Sequence, residues 1–306
     1  VKTKRLRVTL VLLAVLLLVV LVACLPSDEP TYQGKSVSLW FEEYARPRSQ
    51  SFVPGIRMLT VQGTFAADPA GEALRQFGSN GVPYIASYLR TGAAESQFYI
   101  RVLTNLPISL QSRLPSPIER RMRRHAAAKA IAALGEQAES AGPILLAELR
   151  RSEVGFQEDL IQALWGIGVE PRLITEVVIE LGQKRQYAKM VSIAGRAGWN
   201  NEAAVAKLLG EALAEQDPEV RTRALRLLEQ AGPHASPALP RITSSVAHED
   251  PETRYLAVRA LRAIGTNTPA VGDALRSRLN EDDKLVRGAS QRALLQLGST
   301  PNAPNH

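Results

Sequence analysis

At 306 residues with 45% apolar side chains, the chain has enough material for one large core or two smaller ones. A single cysteine excludes a disulfide framework and a cysteine-rich zinc site, and His125, His234, His248 and His306 are scattered without metal-ligand spacing. The formal charge is +7, but Lys2, Lys4, Arg5 and Arg7 carry four of those charges; the remaining +3 makes no case for a nucleic-acid partner.

The chain opens on an address. Residues 1–7, VKTKRLR, are basic, and residues 8–23 carry no charge and are nearly all apolar. That is the layout of a secretory signal. Its end, LVAC from Leu21 to Cys24, resembles the bacterial lipoprotein lipobox, which implies cleavage before Cys24 and lipidation of that cysteine. More than one acyl chain is needed for stable anchoring, at about 0.8 kcal/mol per buried CH₂. An uncleaved signal anchor is the alternative, because Val8–Leu25 is just long enough to span a bilayer. Either way the basic residues stay inside, so the bulk of the chain faces the extracytoplasmic side of a bacterial envelope. Residues 24–35, with Pro26, Pro30 and Gly34, read as a flexible linker.

A capping helix is expected next, in YQGKSVSLWFEEY, with Leu39, Trp40 and Tyr44 packed on the first helical unit. Glu72–Leu89 reads as such a unit, and a Pro-rich insertion at 104–120 separates it from Arg124–Leu149. From there the chain is punctuated by Gly135, Gly168, Gly198, Gly232, Gly265 and Gly298, at steps of about 33. DPEVRTRALRLLEQAG, ending at Gly232, shows the local logic: Asp217 caps the helix, Pro218 fits its first position, and Gly232 stops it. Val220, Ala224, Leu227, Leu228 and Ala231 form one apolar stripe between those ends. DPETRYLAVRALRAIG and the copy from Asp283 to Gly298 repeat the design. A second, proline-containing helix lies between successive copies, so the unit is a helix pair. One pair cannot bury its apolar face alone, and stacked pairs can. With aromatics at only 5% and Ala and Leu dominant, the fold class is all-α: an α-solenoid of about seven two-helix repeats over residues 36–298, with a disordered tail at 299–306.

The pattern D-x-x-V-R-x-x-A-x-x-A-L-x-x-I/L-G resembles the HEAT repeat in its short bacterial form, related to the phycobilisome-lyase type, over roughly Gly71–Gly298. The units ending at Gly168 and Gly198 depart from it by lacking the Asp–Arg pair. The resemblance implies that Pro143 and Pro240 kink the first helix of their units. It also implies an Asp/Arg ladder between units, from Asp217, Arg221, Asp250, Arg254, Asp283 and Arg287, with Arg124 in register and the aspartates serving the ladder or the caps. Second helices line the concave face in such arrays. Lys129, Arg226, Arg259 and Arg292 share a register outside the apolar stripe, so they are expected to face an acidic partner there. The bland alternative for them is solvated surface charge near Glu229 and Glu252. Trp165 and Trp199 are either groove anchors or gap-fillers where the repeats are irregular. His248–Glu252 reads as a loop and helix cap. No catalytic residue, metal or cofactor is assigned. The expected function is a membrane-tethered, non-catalytic scaffold or adaptor for another protein. The alternatives are an enzyme of the bilin-lyase or DNA-glycosylase type, or a self-assembling envelope protein.

Overall fold

The computed structural model describes residues 28–46, 68–90, 105, 117–199 and 202–298. The expected signal, Cys24 and the 299–306 tail lie outside the described residues, as does most of the insertion.

The first described element corrects the linker. Residues 31–36 form a small antiparallel hairpin, β1 (Thr31–Tyr32) and β2 (Lys35–Ser36). Gln33 and Gly34 both take positive φ, 50° and 75°, as a two-residue hairpin turn requires. The hairpin is held down: the Trp40 indole donates to the Tyr32 carbonyl at 2.9 Å, and the Tyr32 ring meets Phe77 edge-on. Side chains beyond the polar stretch, rather than its own composition, order it.

Ser36 then caps α1 (Val37–Tyr44). Val37, Trp40, Phe41 and Tyr44 are buried, while Leu39 is 59% exposed. The expectation for Leu39 was therefore wrong and Phe41 takes its place. The i, i+3, i+4, i+7 series starting from Val37 puts Leu39 on the far side of the helix.

The remaining helices alternate between two layers. One layer contains α3 (Val82–Ser87), α5 (Gly142–Arg151), α7 (Pro171–Gln183), α9 (Ala203–Ala212), α11 (Leu239–Ser245) and α13 (Pro269–Arg276). The other contains α2 (Pro69–Phe77), α4 (Pro117–Leu134), α6 (Val154–Gly166), α8 (Tyr187–Ala197), α10 (Pro218–Ala231), α12 (Pro251–Ile264) and α14 (Lys284–Gln296). Along the second layer, each helix packs on the next from α4 through α14; along the first, α5 packs on α7, α7 on α9, α9 on α11 and α11 on α13. One apolar core runs through the whole stack, from Val37 to Leu294. This is an all-α solenoid, preceded by its short hairpin. The last residues of the expected insertion, 117–120, are instead the first turn of α4.

Every glycine of the periodic series has positive φ, between 57° and 77°. Gly265 shows the reason: it is left-handed at the end of α12, and its N–H bonds the Leu261 carbonyl. The prolines act differently from a mid-helix kink. Gly135–Ala141 and Gly232–Ala238 are 3₁₀ segments, and Pro143 and Pro240 stand in the first turn of the α-helices that come after them. Each proline thus starts α5 or α11 where its missing N–H costs nothing.

Candidate functional site: the second-layer helix face

Each second-layer helix can be indexed from its terminal glycine. Eleven residues back stand Arg124, Gln157, Tyr187, Arg221, Arg254 and Arg287. Arg221 donates to the carbonyls of Glu215 and Gln216, both at 2.7 Å, and Arg254 donates to those of His248 and Glu249 at 2.8 and 2.7 Å. Arg287 repeats this on the Glu281 carbonyl, and Arg124 reaches the Leu89 carbonyl at 3.1 Å. These arginines clamp the turn that joins the two helices of a pair, where carbonyls left over from the first helix need donors.

The aspartates are not their partners. Asp217 accepts from the Glu219 N–H, Asp250 from Glu252 and Thr253, and Asp283 from Leu285 and Val286. The Asp/Arg ladder is thus two devices, caps and carbonyl clamps. A cap aspartate has its oxygens turned onto its own helix, while the arginine four residues on reaches past it. The link between pairs that the ladder was expected to supply falls to Glu281, which accepts from Arg254 of the preceding pair at 2.6 Å and from Arg278 at 3.1 Å. Burial and hydrogen bonding act differently on the charged groups here. Burial pulls Arg124 below the usual guanidinium range, against the opposing pull of Glu148, while the Thr253 hydroxyl holds Asp250 below the usual carboxylate range.

The two irregular pairs lack the clamp. Gln157 is fully buried, and neither its amide nitrogen nor its amide oxygen has a partner. Tyr187 bonds Glu211 at 3.3 Å instead. The helices they belong to, α6 and α8, have Glu153 and Gln186 at their N-cap positions, and neither side chain caps its helix.

Six residues back from each glycine stand Lys129, Gln162, Ser192, Arg226, Arg259 and Arg292. On α10, α12 and α14 this register is basic and faces a groove. The part between α10 and α12, about 660 Å³, is lined by Arg226, Glu229, Glu252, Tyr255 and Arg259 among others. Its charges are matched: Arg226 pairs with Glu252 at 3.2 Å and Arg259 with Glu229 at 2.7 Å. The Glu229 hydrogen bond also raises Arg259 above its usual range. The part between α12 and α14, about 300 Å³, is lined by Tyr255, Val258, Arg259, Arg262, Ala289 and Arg292. The structure therefore brings Arg226, Arg259 and Arg292 onto adjacent helices. Lys129 is exposed on α4, separated from them by α6 and α8, whose equivalent residues are the neutral Gln162 and Ser192.

The tryptophans part company. Trp199 is buried and fills the corner after α8, whereas Trp165 is 47% exposed on α6. His125 of α4 pairs with Asp159 of α6, and its ring meets Phe156 edge-on at 5.0 Å. His248 accepts from the Asp250 N–H at 3.0 Å, within the loop and cap expected of that segment. Among the described residues, no three His, Cys, Asp or Glu side chains converge as a metal site would require. Sequence reasoning missed Arg262, Glu281 and Gln157. Arg262 was detectable as the i+3 neighbour of Arg259; Gln157 was detectable as the residue standing in the clamp register of an irregular unit.

Two stacked layers of paired helices, each unit closing against its neighbours, define a helical-repeat solenoid. Residues 205–295, from α9 to the end of α14, match the family model described as HEAT repeats, and that stretch is an array of HEAT repeats. No curated protein matches the chain in sequence. In structure it is similar to an engineered protein, with TM-score 0.40, 18% identity and 74% of each chain covered. It is also similar to human deoxyhypusine hydroxylase in complex with glycerol, with TM-score 0.32, 17% identity, and coverage of 86% of this chain and 96% of that one. Both are too distant to bear on what this chain does.

Proposed function

We propose that the chain is a non-catalytic adaptor that holds an acidic protein partner against the second-layer face of its repeat array. The observation that carries this is a pair of adjoining clefts, one between α10 and α12 and one between α12 and α14, that share Tyr255 and Arg259 and set Arg226, Arg259 and Arg292 in one register on adjacent helices. Repetition turns one arginine into a row whose charge is matched by Glu229 and Glu252 at its α10 end and unmatched at α14, and such a basic edge steers and orients an acidic partner. Trp165 on the same layer adds an exposed apolar side chain of the kind that anchors interfaces. The tether is part of the proposal: Cys24, lipidated after cleavage, keeps the array at the extracytoplasmic side of a bacterial membrane, where the partner is met. Among the described residues no helix is long and apolar enough to cross a membrane, and the Val8–Leu25 stretch lies outside them.

The test is a crosslinked pull-down from envelope fractions, in which the wild-type chain is compared with Arg226→Glu/Arg259→Glu/Arg292→Glu and with Cys24→Ala, alongside labelling with a palmitate analogue. Charge reversal is expected to abolish a salt-sensitive capture, and Cys24→Ala to abolish the label. Capture that survives charge reversal refutes the groove, and a label that survives Cys24→Ala refutes the anchor.

A further inference from the structure

The groove is not uniformly basic, and its imbalance is local. Between α10 and α12 two arginines face two glutamates, already paired. Between α12 and α14 the lining holds Arg259, Arg262 and Arg292 and no carboxylate. The sequence explains this: 253–265 and 284–298, which contain all but the first two residues of α12 and the whole of α14, have no Asp or Glu. Arg259 is engaged by Glu229 across the neighbouring groove, whereas neither Arg262 nor Arg292 has an ion-pair partner among the described residues. The floor is apolar, formed by Val258 and Ala289, and Tyr255 makes one wall. Two unneutralised guanidiniums beside a dry floor favour an anionic ligand with two charges, because each planar fork is satisfied by its own carboxylate.

We propose that the α12–α14 cleft is an acid-pair subsite. It receives two adjacent acidic side chains from an extended segment of the partner, one on Arg262 and one on Arg292, with Tyr255 packed along the segment. Charge complementarity selects this occupant: the cleft has a two-charge excess, and the groove beside it has none. The inference rests on the adaptor reading and narrows it, since Arg226 and Arg259 then contribute little because their charge is already spent on Glu252 and Glu229.

The experiment measures binding of a fluorescent Gly-Ser peptide carrying a central Glu-Glu pair to the full-length chain in detergent. A Gln-Gln version and a single-phosphoserine version serve as controls. Binding of the Glu-Glu peptide is expected to weaken about tenfold in Arg262→Gln and again in Arg292→Gln, and to change less than about twofold in Arg226→Gln. Arg262→Lys/Arg292→Lys, which retains charge but loses the planar fork, is expected to fall between, and helical circular dichroism confirms that the variants are folded. Equal binding of the Gln-Gln peptide, preference for phosphoserine over Glu-Glu, or indifference to Arg262→Gln overturns the subsite. Arg262 lies outside the charge-reversal set used for the adaptor reading. Partner capture that fails on charge reversal but ignores Arg262→Gln therefore sinks the subsite alone.

Discussion

Residue 157 shows what the clamp arginines do by what happens without one. In the regular pairs an arginine enters at this register and satisfies the carbonyls of the preceding turn. Gln157 is too short to reach them and is left with both amide atoms buried and unbonded. A buried amide without partners costs about 1–3 kcal/mol, whereas an apolar side chain of the same shape avoids that cost. Gln157→Met is therefore expected to raise stability by about 1 kcal/mol. Arg254→Met, which takes the donor from two carbonyls and leaves Glu281 with Arg278 alone, is expected to lower it by about 1–3 kcal/mol. Denaturant melts monitored by circular dichroism check both signs; a destabilised Gln157→Met would mean that the glutamine has a partner after all.

At the level of single elements, the cap helix α1 carries its own titratable reporter. Burial, reinforced by the charge of Asp68, raises the Tyr44 phenol from 10.0 to about 12. A group whose folded value lies above its unfolded one contributes stability below the unfolded value and loses it as pH rises through the folded one. Docking of α1 is thus expected to hold up to about pH 10 and to weaken progressively towards pH 12. Phenolate absorbance, compared between the wild-type chain and Tyr44→Phe, reads this directly: the variant is expected to lack the latest-titrating component. The same helix marks where sequence was and was not legible. The pattern around Trp40 located the helix, but reading Leu39 as inward placed the stripe one step off, and the true face needed Phe41. The hairpin before it was hidden because Pro and Gly composition says turn without saying what the turn packs on. The three copies ending at Gly232, Gly265 and Gly298 were legible because cap, stripe and stop agreed in each of them. The contact of Gly166 with α4 was not, since a Cβ there would stand 2.7 Å from the Ala132 carbonyl, a fact of two helices rather than one.

Across the whole molecule, stability in such an array is a sum of terms within units and between neighbours. The terms are uneven. At the α10 and α12 end, the second-layer helices have aspartate caps, carbonyl clamps and the Glu281 bridge. In the middle, α6 and α8 have no side-chain cap and no clamp arginine. The order of the pairs was readable from the glycine spacing, and the groove register from the arginine spacing. Which arginines were already neutralised was not, because Glu229 and Glu252 reach them across helices. The most direct test is amide hydrogen exchange of the full-length chain, resolved helix by helix. Neighbour-dependent locking predicts that the first turns of α6 and α8 exchange markedly faster than those of α10 and α12. Uniform protection along the array, or slower exchange in α6 and α8, would contradict it.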